Sequence, residues 1–285
     1  MPDRQTLMNG LVVGESPRWH ADRLWFSNWG AQEIIAVDVA GKSEVMLRVA
    51  TTVPFSIDWL PDGRLLVVSG AEARLLRQEP DGSLATYADL SGLARGWNEI
   101  VVDGHGNTYV NGSDYKFAPG EPFVPGVIAL VTPDGSVRQV ADDIHFPNGM
   151  VVTPDNKTLI VTESFKARLT AFDIAADGSL SNRRVWAELG QGGDGICMDA
   201  EGAVWTPAFP DGRPCCVRVG EGGEVLQRIQ LDKFCFACML GGEDGQTLYM
   251  LVAEWKGLER MGELFSSRTG QVLTARAPAP HAGRP

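Results

Sequence analysis

The chain repeats itself about every 45 residues, and a repeat of that period leaves few ways to fold. Each unit is a polar residue, an apolar strand, a turn of Asp-Gly type and a second apolar strand. It appears as ESPRWHADRLWFS from Glu15, SIDWLPDGRLLVVS from Ser56 and NEIVVDGHGNTYVNG from Asn98. It recurs as NGMVVTPDNKTLIVTE from Asn148, DGICMDAEGAVWTPA from Asp194 and CMLGGEDGQTLYMLVA from Cys238. The second strands begin near Leu24, Leu65, Thr108, Leu159, Val204 and Leu248, at intervals of 41, 43, 51, 45 and 44 residues. Between these units lies another hairpin, as in EPDGSLATY, TPDGSVRQV, AADGSLSNRRVW and GEGGEVLQRI, with weaker versions at the two ends. Each repeat therefore holds four strands joined by turns of Gly and Asp chemistry. No segment sustains a helical period. Six such repeats predict an all-β, six-bladed β-propeller, four antiparallel strands to a blade, with an unclosed solenoid of sheets as the alternative. A single propeller domain is expected over residues 1–276, followed by a disordered tail at 277–285.

In a propeller the first strand of each blade runs beside the central channel, so equivalent positions form a ring. That ring reads Glu15, Ser56, Asn98, Asn148, Asp194, Cys238. Two carboxylates and two carboxamides are hard oxygen donors suited to one divalent cation, with Ca²⁺ the first choice because no histidine is at hand. Zn²⁺, Mg²⁺ and Mn²⁺ are alternatives. The plainer reading is that these are strand-start residues satisfying turn backbone groups.

The phrases GESPRW, WNEIVVDGHGNTYV, FPNGMVVTPDNKTLIVTES and GGDGICMDAEGAVW resemble the senescence marker protein (regucalcin)/gluconolactonase/luciferin-regenerating-enzyme family, along essentially the whole chain. The resemblance implies one axial divalent metal held by Glu15, Asn98, Asn148 and Asp194. It also implies metal-dependent hydrolysis of lactones, or in some members of phosphotriesters, with Asp194 as general base. Two positions depart from the family pattern. Many members have Asn-Asp where this chain has Asn98-Glu99, and the sugar-lactone enzymes often carry an arginine where this chain has Gly96.

Strand parity predicts which face holds the pocket. If the ring residues start each first strand, the Asp-Gly turns lie on the opposite face and the loops after each second strand lie beside the ring. The longest interval contains NGSDYKFAPGEPFVPG (111–126), which is expected to overhang the site with Tyr115, Lys116, Phe117 and Phe123. Trp29, Glu163, Phe165, Phe209 and Trp255 are placed near the mouth by the same logic. Trp97 and His145 precede ring residues, and Glu99 follows one. Trp29, Trp97, Glu99, Tyr115, Lys116, His145, Glu163, Phe165 and Trp255 are the substrate-binding candidates. An aromatic lining suits an apolar or ring-shaped substrate more than a bare polyol.

A formal net charge of -11 and a pI near 4.9 argue against nucleic acid or an anionic membrane as partner. The start of the chain has no apolar leader and no run reaches the length of a membrane span, so a cytoplasmic protein acting on a small molecule is expected. The five cysteines all fall between Cys197 and Cys238. CFAC has redox or zinc spacing but lacks a second pair at finger distance, and reduced buried thiols are expected. The functional expectation is a metal-dependent lactonase. Its rivals are a non-catalytic calcium-binding propeller and another chemistry, such as phosphotriester hydrolysis or a lyase step, on the same metal.

Overall fold

The computed structural model describes residues 4–51, 53–116 and 120–283; Phe117 of the expected overhang lies outside them. Twenty-four strands form six four-stranded antiparallel sheets among the described residues, the predicted six blades. An N-terminal strand, β1 (Gln5–Leu11), precedes blade 1, which is β2 (Gly14–His20), β3 (Arg23–Asn28), β4 (Glu33–Val37) and β5 (Ser43–Arg48). Blade 2 runs from β6 (Phe55–Trp59) through β7 (Leu65–Ser69) and β8 (Arg74–Gln78) to β9 (Leu84–Asp89). Blade 3 has β10 (Gly96–Val102), β11 (Thr108–Ser113), β12 (Gly126–Val131) and β13 (Val137–Ile144). Blade 4 has β14 (Pro147–Val152), β15 (Thr158–Glu163), β16 (Arg168–Ile174) and β17 (Leu180–Glu188). Blade 5 has β18 (Cys197–Met198), β19 (Val204–Ala208), β20 (Cys215–Val219) and β21 (Val225–Gln230).

Blade 6 draws on both ends of the chain. β22 (Phe234–Gly241), β23 (Thr247–Ala253) and β24 (Gly270–Arg276) are completed by β1, which pairs antiparallel with β24. β1 supplies the fourth, outermost strand of that blade, so one sheet joins the two ends of the chain and closes the ring. Among the described residues one short α-helix, α1 (Met261–Ser266), lies between β23 and β24. Among the described residues no helix is long and apolar enough to cross a membrane.

The turns are where the Asp-Gly chemistry acts. Asp103 Oδ1 accepts from the backbone N–H of His105 (2.8 Å) and Asn107 (2.9 Å), and Asp199 Oδ1 does the same for Glu201 and Ala203. These Asx bonds fix the bend, and Gly106 at φ 85° supplies its left-handed residue.

The core lies in the wedges between blades. Trp97, fully buried, packs with Leu66, Val68, Leu90 and Ile100, and its indole N–H donates to Ala94 O at 3.0 Å. This corrects the expectation that Trp97 lines the mouth: the ladder of β10 skips between Trp97 and Ile100, and the residue before Asn98 is turned into the wedge. All five cysteines are free and buried, as reduced thiols should be.

The tail is also corrected. Of the tail 277–285, expected to be disordered, residues 277–283 lie across the ends of blades 5 and 6, and 284–285 lie outside the described residues. Ala277 and Ala279 are buried. The Ala200 N–H donates to Pro280 O (2.8 Å), His281 N–H to Gly245 O (3.0 Å) and Ala282 N–H to Met198 O (3.1 Å). Its alternating alanines are small enough to pack, and its prolines are already extended, so ordering costs little entropy.

Candidate metal centre

Glu15, Asn98, Asn148 and Asp194 stand at one level of the channel. Each lies four residues before an equivalent hairpin pair: Trp19↔Leu24, Val102↔Thr108, Val152↔Leu159 and Met198↔Val204. The ladders of β2, β10 and β14 skip between Glu15 and Arg18, Trp97 and Ile100, and Pro147 and Met150. Such bulges break the alternation and re-aim a side chain. Asp194 lies just before the two-residue strand β18, free of the ladder.

Two predicted ring members fall elsewhere. The skip in β22 between Cys235 and Ala237 puts Phe236, not Cys238, at the level of the other four. Cys238 lies nearer the hairpin, its Sγ 3.3 Å from Trp205 O. β6 has an unbroken ladder, and the Ser56 hydroxyl donates to Asn98 O at 2.5 Å.

Glycines after the ring residues let neighbouring strands approach. A Cβ on Gly149 would lie 2.5 Å from Ile196 N, and one on Gly195 would lie 2.4 Å from Ala237 Cβ. The backbone contacts this permits are Gly149 N–H to Asp194 O (3.3 Å) and Gly195 N–H to Phe236 O (2.9 Å). The Asn-Gly and Asp-Gly pairs are thus one ring donor and one close-packing residue each.

The donors converge. Asn98 Nδ2 is 3.4 Å from Asn148 Oδ1. Asp194 is hydrogen-bonded by Asn148 and close enough to Glu15 to raise its pKa. Burial, first, and repulsion from neighbouring carboxylates, second, push both Glu15 and Asp194 well above the usual carboxylate range. Asp194 Oδ1 is buried with no hydrogen-bond partner. An orphaned carboxylate oxygen beside a second acid and two amide oxygens is the donor set of a hard divalent cation, so the residues fit one.

Beneath the ring is a charged network. Arg18 donates to Glu99 Oε1 (3.2 Å) and Ile100 O (2.6 Å) and lies 3.8 Å from Asp58. The Ser16 hydroxyl donates to Glu99 Oε1 at 2.9 Å. Glu99, expected to touch substrate, is buried and turned toward these partners. It braces the ring from below.

Glu163 also departs from expectation. It is fully buried, and its Oε1 accepts from Arg168 (2.9 and 2.7 Å), Thr170 (2.5 Å) and Arg183 (3.1 Å). Its Oε2 accepts from the His145 N–H at 2.8 Å. Burial alone would raise its pKa, but the Thr170, His145 and Arg168 donors outweigh that and hold it at about 2. So placed, it faces into blade 4 and clamps the loop that leads to Asn148.

The other candidates gather around the mouth. Phe165, Phe146, Phe123, Tyr115 and His145 form one aromatic cluster: Phe146–Phe165 stack at 4.6 Å, Phe123–His145 lie at 5.0 Å and Tyr115–Phe165 at 5.8 Å. The insertion thus leans on the loops that flank Asn148. Lys116 is exposed beside it. Trp255 sits 6.1 Å from Phe236, and Phe209 joins that second cluster through Phe234 at 5.8 Å. Trp29 donates to Phe55 O at 2.7 Å.

Sequence reasoning missed Asn111, Ser164 and Phe236. Asn111 is fully buried; its Oδ1 accepts from Glu99 N–H (3.2 Å) and its Nδ2 donates to Asn148 O (2.6 Å), tying two ring strands together. A carboxamide inside an otherwise apolar second strand was its one signal. The Ser164 hydroxyl donates to Gly193 O (2.7 Å) and lies 3.4 Å from Asn148 Nδ2. Phe236 needed the bulge, which no residue pattern announces.

Known proteins share this fold. Regucalcin of Xenopus laevis is 27% identical over 289 residues, covering 95% of each chain. A solved luciferin-regenerating enzyme superimposes with a TM-score of 0.80 at 19% identity, over 99% of both chains. A calcium-binding protein, regucalcin, from Agrobacterium tumefaciens gives 0.75 at 20% identity, over 99% of this chain and 96% of that one. The model of the SMP-30/Gluconolactonase/LRE-like region matches residues 13–254, which hold blades 1 to 5 and strands β22 and β23 of the sixth, and the chain belongs to that family.

Proposed function

We propose that the chain is a divalent-metal-dependent hydrolase that opens lactones. The observation that carries this reading is the orphaned Asp194 Oδ1 among Glu15, Asn98 and Asn148. These four residues would hold the cation, with Ca²⁺ the first choice, and when bound it would polarise a carbonyl and stabilise the negative charge that develops on its oxygen. Asp194 would take the proton of the attacking water, which is the role the family resemblance implies for it. Glu99 is engaged by Arg18 and Ser16, and Glu163 by its two arginines, so neither is placed to take that proton. The aromatic clusters would flank the substrate and shed water from the mouth.

The Agrobacterium relative is a calcium-binding protein, which favours a second reading, a calcium-binding propeller without catalysis. One experiment separates the two: elemental analysis of the purified protein, combined with a pH-indicator screen of sugar, aliphatic and aromatic lactones. Metal with lactone turnover supports the hydrolase, and metal without turnover of any lactone supports the binding protein.

A further inference from the structure

The channel has a second mouth. It opens at the hairpin ends of the inner strands, four residues beyond the ring, which at strand rise is about 13 Å away. A cavity of about 190 Å³ lies there, larger than the roughly 150 Å³ that accommodates a benzene ring in an engineered core. It is lined from blades 1, 2, 3 and 6, and the C-terminal tail closes one side with His281 and Gly283.

Its walls are aromatic and rigid. Trp59 stacks on His20 at 4.1 Å with 7° between the planes, and the edge of Trp25 holds it from another side at 5.2 Å. Trp19 is stacked on Tyr249 at 5.6 Å. Two carboxylates, Asp58 and Asp103, complete the lining and outnumber its single guanidinium, Arg18. That guanidinium is already matched by Glu99 at 3.2 Å and Asp58 at 3.8 Å. Asp103 is held by neutral donors, two backbone N–H groups and the Asn107 amide at 2.9 Å, which leave its charge in place.

We propose that this cavity is a second binding site, for a small organic ammonium ion, on the opposite face from the ring of Glu15 and Asp194. Indole faces attract a cation through their quadrupole, and the excess carboxylate charge adds to that attraction. An anion would meet Asp58 and Asp103. A neutral molecule would gain the aromatic contacts alone. The volume admits a ligand of roughly seven non-hydrogen atoms.

Choline and its neutral isostere 3,3-dimethyl-1-butanol are the probes, titrated calorimetrically into the full chain, with benzoate as the anionic control. Saturable choline binding is expected, with the isostere about tenfold weaker. Trp59→Leu should abolish it, and His281→Ala in the tail should weaken it several-fold, each with a melting transition close to that of the parent. Should Trp59→Leu fail to fold, the His281→Ala variant and the isostere comparison still decide. Equal binding of choline and isostere, tighter binding of benzoate, or no choline binding at the highest soluble concentration would each overturn the proposal.

Discussion

Asn98 and Asn148 reach each other across the boundary between blades 3 and 4, Nδ2 to Oδ1 at 3.4 Å. Both side chains are set by bulges in their own strands, and Asn111 pins the two strands together below them. Each amide is therefore positioned by its neighbour as well as by its own blade.

Asn148→Ala removes one donor and a partner of both Asn98 and Asp194. Calcium affinity, measured by isothermal titration, should fall at least tenfold while the circular dichroism spectrum stays that of the parent. Unchanged affinity would show that the ring is not the metal site.

Asp194→Asn keeps an oxygen donor but removes the base. Metal should still bind, more weakly, and lactone turnover should drop by about 10²- to 10⁴-fold, the usual contribution of a general base. Ser56→Ala, whose hydroxyl reaches only the Asn98 carbonyl, should by comparison change turnover by less than about threefold.

Glu163 predicts an acid limit on stability. Its folded pKa of about 2 lies below its ordinary value of 4.5, so its contribution is complete above about pH 4.5 and is lost as the pH falls toward 2. A shift of that size corresponds to roughly 3 kcal/mol. Glu163→Gln should lower the melting temperature at pH 7 and flatten its decline between pH 4.5 and 2. An unchanged melting profile would mean that Arg168 and Arg183 do not depend on this carboxylate.

Shortening the 112–125 insertion should change KM or the ranking of substrates far more than the melting temperature. Tyr115 and Phe123 lean on Phe165 and His145 and contribute little to the interblade core. Kinetics indistinguishable from the parent would remove the insertion from substrate recognition.

Six in-register hairpins made the propeller legible from residues alone, because Asp-Gly turns and alternating apolar strands are local features of the chain. Four ring positions could be read for the same reason, each being a polar residue at a fixed distance before a turn. Cys238 and Trp97 were misplaced because a single bulge shifts which side chain faces the channel, and register is a property of the paired strands. Glu99 and Glu163 looked like free acids at the mouth. Their partners Arg18, Arg168 and Arg183 lie on other strands or other blades, and only folding brings them within hydrogen-bond reach. The closing strand β1 and the packed tail were likewise decided in three dimensions, since each is held by residues from the far end of the chain or from neighbouring blades. Local pattern determined the architecture and four of the ring positions; long-range pairing decided the rest of the ring and which charges are spent on structure.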